Sequence, residues 1–86
     1  MKVRIPTPLR SYTDQRSLVE AHGATVAEVL ADLDRRFSGM RFRIVDEQGR
    51  LREHVKVFVN KVSVRELSTP VAPADEVTIM QALSGG

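Results

Sequence analysis

Apolar and polar residues alternate at the start of the chain, where "KVRIPTPL" sends Val3 and Ile5 to one side and Lys2 and Arg4 to the other. A period of two marks a half-buried strand, and Pro6 and Pro8, which lack the amide a ladder needs, limit its pairing. After a polar turn around Asp14, the run "SLVEAHG" can return antiparallel and close a first hairpin, with Gly23 supplying backbone freedom to leave the sheet. The period then changes. In "TVAEVLADLDRRFSG" the residues Val26, Val29, Leu30, Leu33 and Phe37 form one apolar stripe at helical spacing, with Glu28, Asp32, Arg35 and Arg36 off it. Thr25 and Glu28 stand as a capping box at the start, and Gly39 is placed to end the helix.

From Met40 to His54 the pattern is irregular, with "DEQGR" reading as a turn, so only a bridging segment is expected there. Beyond it, Val55, Val57 and Val59 alternate with Lys56, Phe58 and Asn60, and Asn60-Lys61 can turn into a strand carrying Val62 and Val64. "PVAPADEVTIMQAL" reads as a proline-bounded loop and a closing strand, Val77 and Ile79 inward, Thr78 and Met80 outward. Hairpin, helix, loop, hairpin and closing strand predict an α+β roll: one mixed sheet of four to five strands packed on one main helix. The first and last strands are expected in the sheet centre.

Eighty-six residues make one small domain with little room for an enclosed active site. The composition, 42% hydrophobic and 28% charged, is that of an ordinary globular protein, with no apolar run of membrane-spanning length and no signal peptide, so the default expectation is cytoplasmic. Lack of cysteine excludes disulfides and thiolate catalysis, and His22 and His54 fit no metal-ligand spacing, so no metal site is expected. A net charge of +2 is too small to dictate a partner. Arg35, Arg36, Arg41, Arg43, Arg50 and Arg52 concentrate positive charge in mid-chain, but with only Phe37 and Phe42 nearby they lack a base-stacking platform; a solvated face is expected, with no nucleic acid and no membrane as partner. There is no nucleophile beside a base, no marked pair of carboxylates and no phosphate-cradling glycine loop, so catalytic groups must come from elsewhere.

The chain stops on "QALSGG", two glycines directly after the last apolar run. Taken alone, that is a frayed terminus. Taken with the body, "ADEVTIMQALSGG" (Ala74 to Gly86) resembles the ubiquitin-like sulfur carriers of the ThiS/MoaD family, whose closing strand follows an acidic turn and ends in a free Gly-Gly. "IPTPLR" (Ile5 to Arg10), "GATVAEVLADL" (Gly23 to Leu33), "GRLREHVKVFVN" (Gly49 to Asn60) and "SVRE" (Ser63 to Glu66) look most like the branch serving cysteine biosynthesis. Ala74, Gln81 and Leu83-Ser84 depart from the family's usual Gly, frequent Pro and small pair.

The resemblance implies a β-grasp, ubiquitin-like domain over 1–82 and a flexible tail over 83–86. It implies that the Gly86 carboxylate is adenylated by a ubiquitin-activating-like adenylyltransferase/sulfurtransferase that consumes ATP, then converted to a thiocarboxylate. The acceptor would be a cysteine synthase-like enzyme, or else the large subunit of molybdopterin synthase or a thiazole synthase; a protein modifier forming isopeptides through Gly86 is the other reading. The domain itself would bind no cofactor and act as a cosubstrate, not an enzyme. Leu83, Ser84 and Gly85 would thread the partner's active site, where residues without a Cβ let enzyme backbone approach closely. Phe58 and Met80 share an outward parity on strands that such a sheet brings together, so they are expected as a partner-docking patch; a small satellite core covering them is the alternative.

Overall fold

The computed structural model describes residues 1–82. The opening alternation becomes β1 (Lys2–Arg4), with Val3 buried between exposed Lys2 and Arg4. Next comes a 3-10 helix over Thr7–Thr13 where the sequence predicts only a polar turn. Its proline falls in the first turn, where an amide has no intrahelical partner, and Asp14 and Gln15 end it with φ of 54° and 65°. β2 (Leu18–Glu20) then returns antiparallel to β1, as the hairpin reading requires.

α1 (Val26–Arg36) buries Val26, Val29, Leu30 and Leu33 completely. Thr25 caps it by accepting from the Glu28 amide at 3.2 Å, while the Glu28 carboxylate accepts from the Ala24 amide at 2.8 Å, one residue upstream of the usual capping box. The next two helical amides are taken up from outside: Val26 donates to the Thr69 carbonyl and Ala27 to that of Leu67, tying the loop after β4 to the helix start. Asp32 lies off the apolar stripe yet is buried at its edge, accepting from the His22 amide and pairing with Arg35 and Arg36.

Three expectations change here. Gly23 has no left-handed backbone; it is needed because a Cβ there would lie 2.7 Å from the Val29 amide nitrogen and 2.8 Å from the Glu28 Cβ. Gly39 does not end α1, which stops at Phe37; with φ of 91° it opens a second helix, α2 (Met40–Ile44). The irregular stretch hid that helix, whose Met40 and Ile44, four apart, are both fully buried. The Asp34 carboxylate accepts from the amides of Gly39 and Arg41 and so fixes α2 against the end of α1.

β3 (Val55–Val59) and β4 (Val62–Val64) form the second hairpin, and β5 (Glu76–Gln81) closes the sheet in the order β2-β1-β5-β3-β4. β1 and β5 pair in parallel and every other pairing is antiparallel, so the mixed sheet has β5 at its centre with β1 beside it, the β-grasp arrangement expected. Val3, Val57, Val77 and Ile79 face α1 and are buried; each apolar side chain removed from water in this way contributes roughly 1.5–3 kcal/mol.

Candidate functional site: the end of the central strand

β5 is the strand that carries the chain's end, and the fold holds it unequally on its two sides. Toward β3 its ladder runs the full length, from Val59 opposite Val77 to Val55 opposite Gln81, and the Ala82 amide adds a bond of 2.8 Å to the His54 carbonyl. Toward β1 the pairing stops at Arg4 opposite Thr78, because the chain turns away at Pro6, which has no amide to continue a ladder. A groove of about 390 Å³ opens there, with Arg4, Pro6, Pro8 and Arg10 on one wall and Thr78 and Met80 on the other. The last described residue is thus anchored on one flank and accessible on the other.

The start of β5 is fixed as firmly. Asn60 and Lys61 both have positive φ, 50° and 73°, the geometry of a two-residue hairpin turn. The Asn60 side chain donates to Asp75 Oδ1 at 2.7 Å and accepts from the Glu76 amide at 2.9 Å, locking the hairpin tip to the acidic turn that begins β5. Asp75 also accepts from the Ala72 amide, and these hydrogen bonds hold its carboxyl below the usual carboxylate range.

On the sheet face opposite α1, Arg4, Thr78, Phe58 and Ser63 stand in one row across four strands, and Met80 stands beside Lys56 one pleat along. Phe58 and Met80 are therefore diagonal neighbours, within reach of each other as long side chains. Met80 is 53% exposed. Phe58 is half-buried, so the outward aromatic is partly covered rather than free. An ion pair of 2.5 Å between Arg4 and Glu76 borders the patch.

The expected tail residues Leu83, Ser84, Gly85 and Gly86 lie outside the described residues. His22 and His54 are exposed, and among the described residues no three histidine, aspartate or glutamate side chains converge as metal ligands. No helix among them is long and apolar enough to cross a membrane. Sequence reasoning missed the other side of the strand's end. There α2 presents Phe42, 59% exposed, and Arg43 beside Arg52, His54 and Gln81. The buried pair Met40 and Ile44 at i, i+4 was the available signal, since it turns Arg41, Phe42 and Arg43 outward together.

Residues 3–86 match the ThiS family, through to the final glycine. The chain is 39% identical over 89 residues to the sulfur carrier protein CysO of Mycobacterium tuberculosis (strain ATCC 25618 / H37Rv), covering 98% of this chain and 96% of the relative. It superimposes with a TM-score of 0.91 and 40% identity on a chain in the crystal structure of the Amycolatopsis orientalis BexX/CysO complex, covering 99% of this chain and 98% of that one. It is also similar to SAMP1 from Haloferax volcanii, with a TM-score of 0.79, 26% identity and coverage of 100% and 98%.

Proposed function

The chain belongs to the ThiS family, and on that premise we propose that it is a sulfur carrier whose Gly86 carboxylate is the reacting group. A carboxylate is a poor electrophile at neutral pH. Its oxygen attacks the α-phosphorus of ATP, held by an adenylating partner, to give the acyl adenylate and pyrophosphate. A sulfur nucleophile supplied as a persulfide then displaces AMP, and reductive cleavage of the resulting acyl disulfide by a thiol leaves the thiocarboxylate. The carrier contributes the reagent and its reach, while catalytic groups come from the enzymes that take in the tail, so it works as a cosubstrate where ATP is available, in the cytoplasm. What most supports this reading is likeness to CysO carriers over nearly the whole chain.

The same likeness favours cysteine synthesis over molybdopterin or thiazole synthesis as the destination of the sulfur. Similarity to SAMP1, a small archaeal modifier protein, favours a second reading, in which the activated Gly86 is passed to a lysine amine and forms an isopeptide. Four residues separate Ala82 from the terminus, a reach of about 13 Å when extended, with Gly85 and Gly86 able to pass where a Cβ would not. Phe58 and Met80, on the face beside the strand's end, serve as the apolar docking patch of the adenylating enzyme.

The test incubates the chain with its adenylating enzyme, ATP, a persulfide donor and a thiol reductant and weighs the intact protein. Replacement of one terminal oxygen by sulfur is expected. Deleting Gly86 draws the carboxylate back by about 3.5 Å, and because a misplacement of about 1 Å already costs on the order of a hundredfold, turnover should fall to background with the melting temperature unchanged. Normal turnover of the shortened chain would refute the proposal; diglycine-tagged lysines in digests of the source cells would favour the modifier reading.

A further inference from the structure

Beside the end of β5, on the α1 side of the sheet and away from Phe58 and Met80, lies a recess of about 250 Å³ lined by Phe42, Arg43, Glu47, Arg52, His54 and Gln81. Two features set it apart from a solvated face. First, its arginines are held in place. Arg52 donates through Nε to the Phe42 carbonyl at 2.8 Å and its guanidinium sits 4.7 Å from the centre of the Phe42 ring. Arg43 donates through Nε to the Tyr12 hydroxyl at 2.6 Å, with that ring 5.9 Å away. Both anchors are neutral acceptors, and among the described residues neither guanidinium forms an ion pair within 4 Å, so the Nη donors stay available, with Asp46 near enough to feel the charge of Arg52 and Glu47 the one carboxylate in the lining. Second, Gln81, which lines both this recess and the groove on the strand's other side, has its Oε1 buried without a hydrogen-bond partner among the described residues. An unmet buried acceptor is costly, and an incoming N–H would relieve it.

We propose that this recess is a second docking point, beyond the apolar patch, that receives an acidic loop at the mouth of the adenylating enzyme's tail channel. The proposal rests on the sulfur-carrier reading. An enzyme that draws in residues beyond Ala82 must bring its channel mouth against both flanks of the β5 end, and this flank offers two arginines against the one lining carboxylate, Glu47. A carboxylate takes the fork of Nη donors from Arg52 or Arg43, the Gln81 amide turns outward so that its Oε1 accepts from the loop's backbone N–H, and Phe42 is covered by the loop's apolar side. Because both arginines are already ordered, little side-chain freedom is lost on binding, which is the condition under which an exposed charge pair adds affinity. Arginine and aromatic side chains that become desolvated together are also where interface energy concentrates.

The experiment measures ATP–pyrophosphate exchange by the source organism's adenylating enzyme as a function of carrier concentration, for the full-length chain and for Arg52→Ala, Arg52→Lys, Arg43→Ala, Phe42→Ala and, as a surface control, Arg16→Ala. Arg52→Ala and Phe42→Ala should each raise KM about tenfold or more with kcat unchanged, Arg52→Ala alone of the two should flatten its dependence on salt, Arg52→Lys should recover only part of the loss, and Arg16→Ala should match the wild type. Melting curves run in parallel identify any variant that fails through folding. For such a variant the Arg52→Lys substitution, which keeps the charge but not the fork, carries the decision. A KM within about twofold of wild type for folded Arg52→Ala and Phe42→Ala overturns the docking point while leaving the carrier reading intact. Absence of exchange with the wild-type chain overturns both.

Discussion

Replacing Gly23 by alanine separates two accounts of why glycine stands between β2 and α1. If neither torsion nor space required the glycine, alanine would be harmless or would stabilise by about 0.4–1 kcal/mol, since it restricts the unfolded chain. The structure gives Gly23 no positive φ, a property confined among the glycines of residues 1–82 to Gly39 and Gly49. It gives it no room either: an added Cβ would sit 2.7 Å from the Val29 nitrogen, 2.8 Å from the Glu28 Cβ and 2.9 Å from the Glu28 carbonyl carbon. Two of those atoms are helix backbone and cannot swing aside, so α1 must move as a body, dragging its Thr25 cap and the amides bonded to the Leu67 and Thr69 carbonyls. Overpacking of this kind costs typically 1–3 kcal/mol, which leaves a net loss of about 1–2 kcal/mol after the entropic gain. In a domain of this size that is a fall in Tm of about 4–16 °C, measured by thermal unfolding and checked by urea denaturation at constant m. Gly49→Ala is the control, because its Cβ would meet nothing within 4 Å and only its φ of 78° resists. A Gly23→Ala protein as stable as the wild type would refute the steric account and with it the placement of α1 against the β2 exit.

Leu33→Ala, at a fully buried position in the stripe, should cost about 2–5 kcal/mol in chemical denaturation, against about 1 kcal/mol for Thr25→Ala at the cap; equal losses would mean that the helix does not pack on the sheet through this stripe. The Asp32 carboxyl is held below its ordinary value of 3.8, chiefly by the Arg35 hydrogen bond and then by the His22 amide. Its stabilisation is therefore complete above about pH 4 and lost as pH falls through the lower folded value, so Asp32→Asn should flatten the acid limb of a stability-versus-pH curve, and an unchanged limb would count against it. Changing Met80 to aspartate should weaken binding to the adenylating enzyme more than it lowers Tm, whereas Phe58→Asp should lower both because Phe58 is already half-buried; lowered stability with unchanged affinity in either would make that residue core.

The elements with strict periodicity were the ones legible in the sequence. Val3, the α1 stripe, Val55 to Val59 and the parity of Val77 and Ile79 all fall where alternation or helical spacing puts them, since burial on one face leaves a pattern that a one-residue slip would destroy. The 3-10 helix and α2 were not legible, for different physical reasons. The first has too few turns to show a period and is held by prolines and a left-handed Asp14. The second spans five residues, Met40–Ile44, so its whole apolar signature is one i, i+4 pair, and it is held by the packing of that pair and by Asp34 reaching across from α1. Gly23 and Gly39 both serve roles other than those expected, because sequence marks where a glycine stands but not whether space or torsion requires it.

The same limit governs the candidate site. Outward parity identified Phe58 and Met80, because period two fixes faces even when the register is unknown. The recess at Phe42, Arg52 and Gln81 gathers α2, the loop before β3 and the end of β5, segments about ten and thirty residues apart with no shared period, so only the three-dimensional structure brings them together. That juxtaposition follows from the topology: β5 is central, so its end is flanked on one face by the open sheet and on the other by whatever covers the core's rim, which here is α2. A carrier that must hand its terminus to another protein gains from this arrangement, because docking contacts on both faces constrain the direction in which the strand points as well as its distance. Direction matters more than area here, since a tail drawn out to its full reach of about 13 Å in a partner's channel would magnify any tilt of the domain into displacement at the reacting atom.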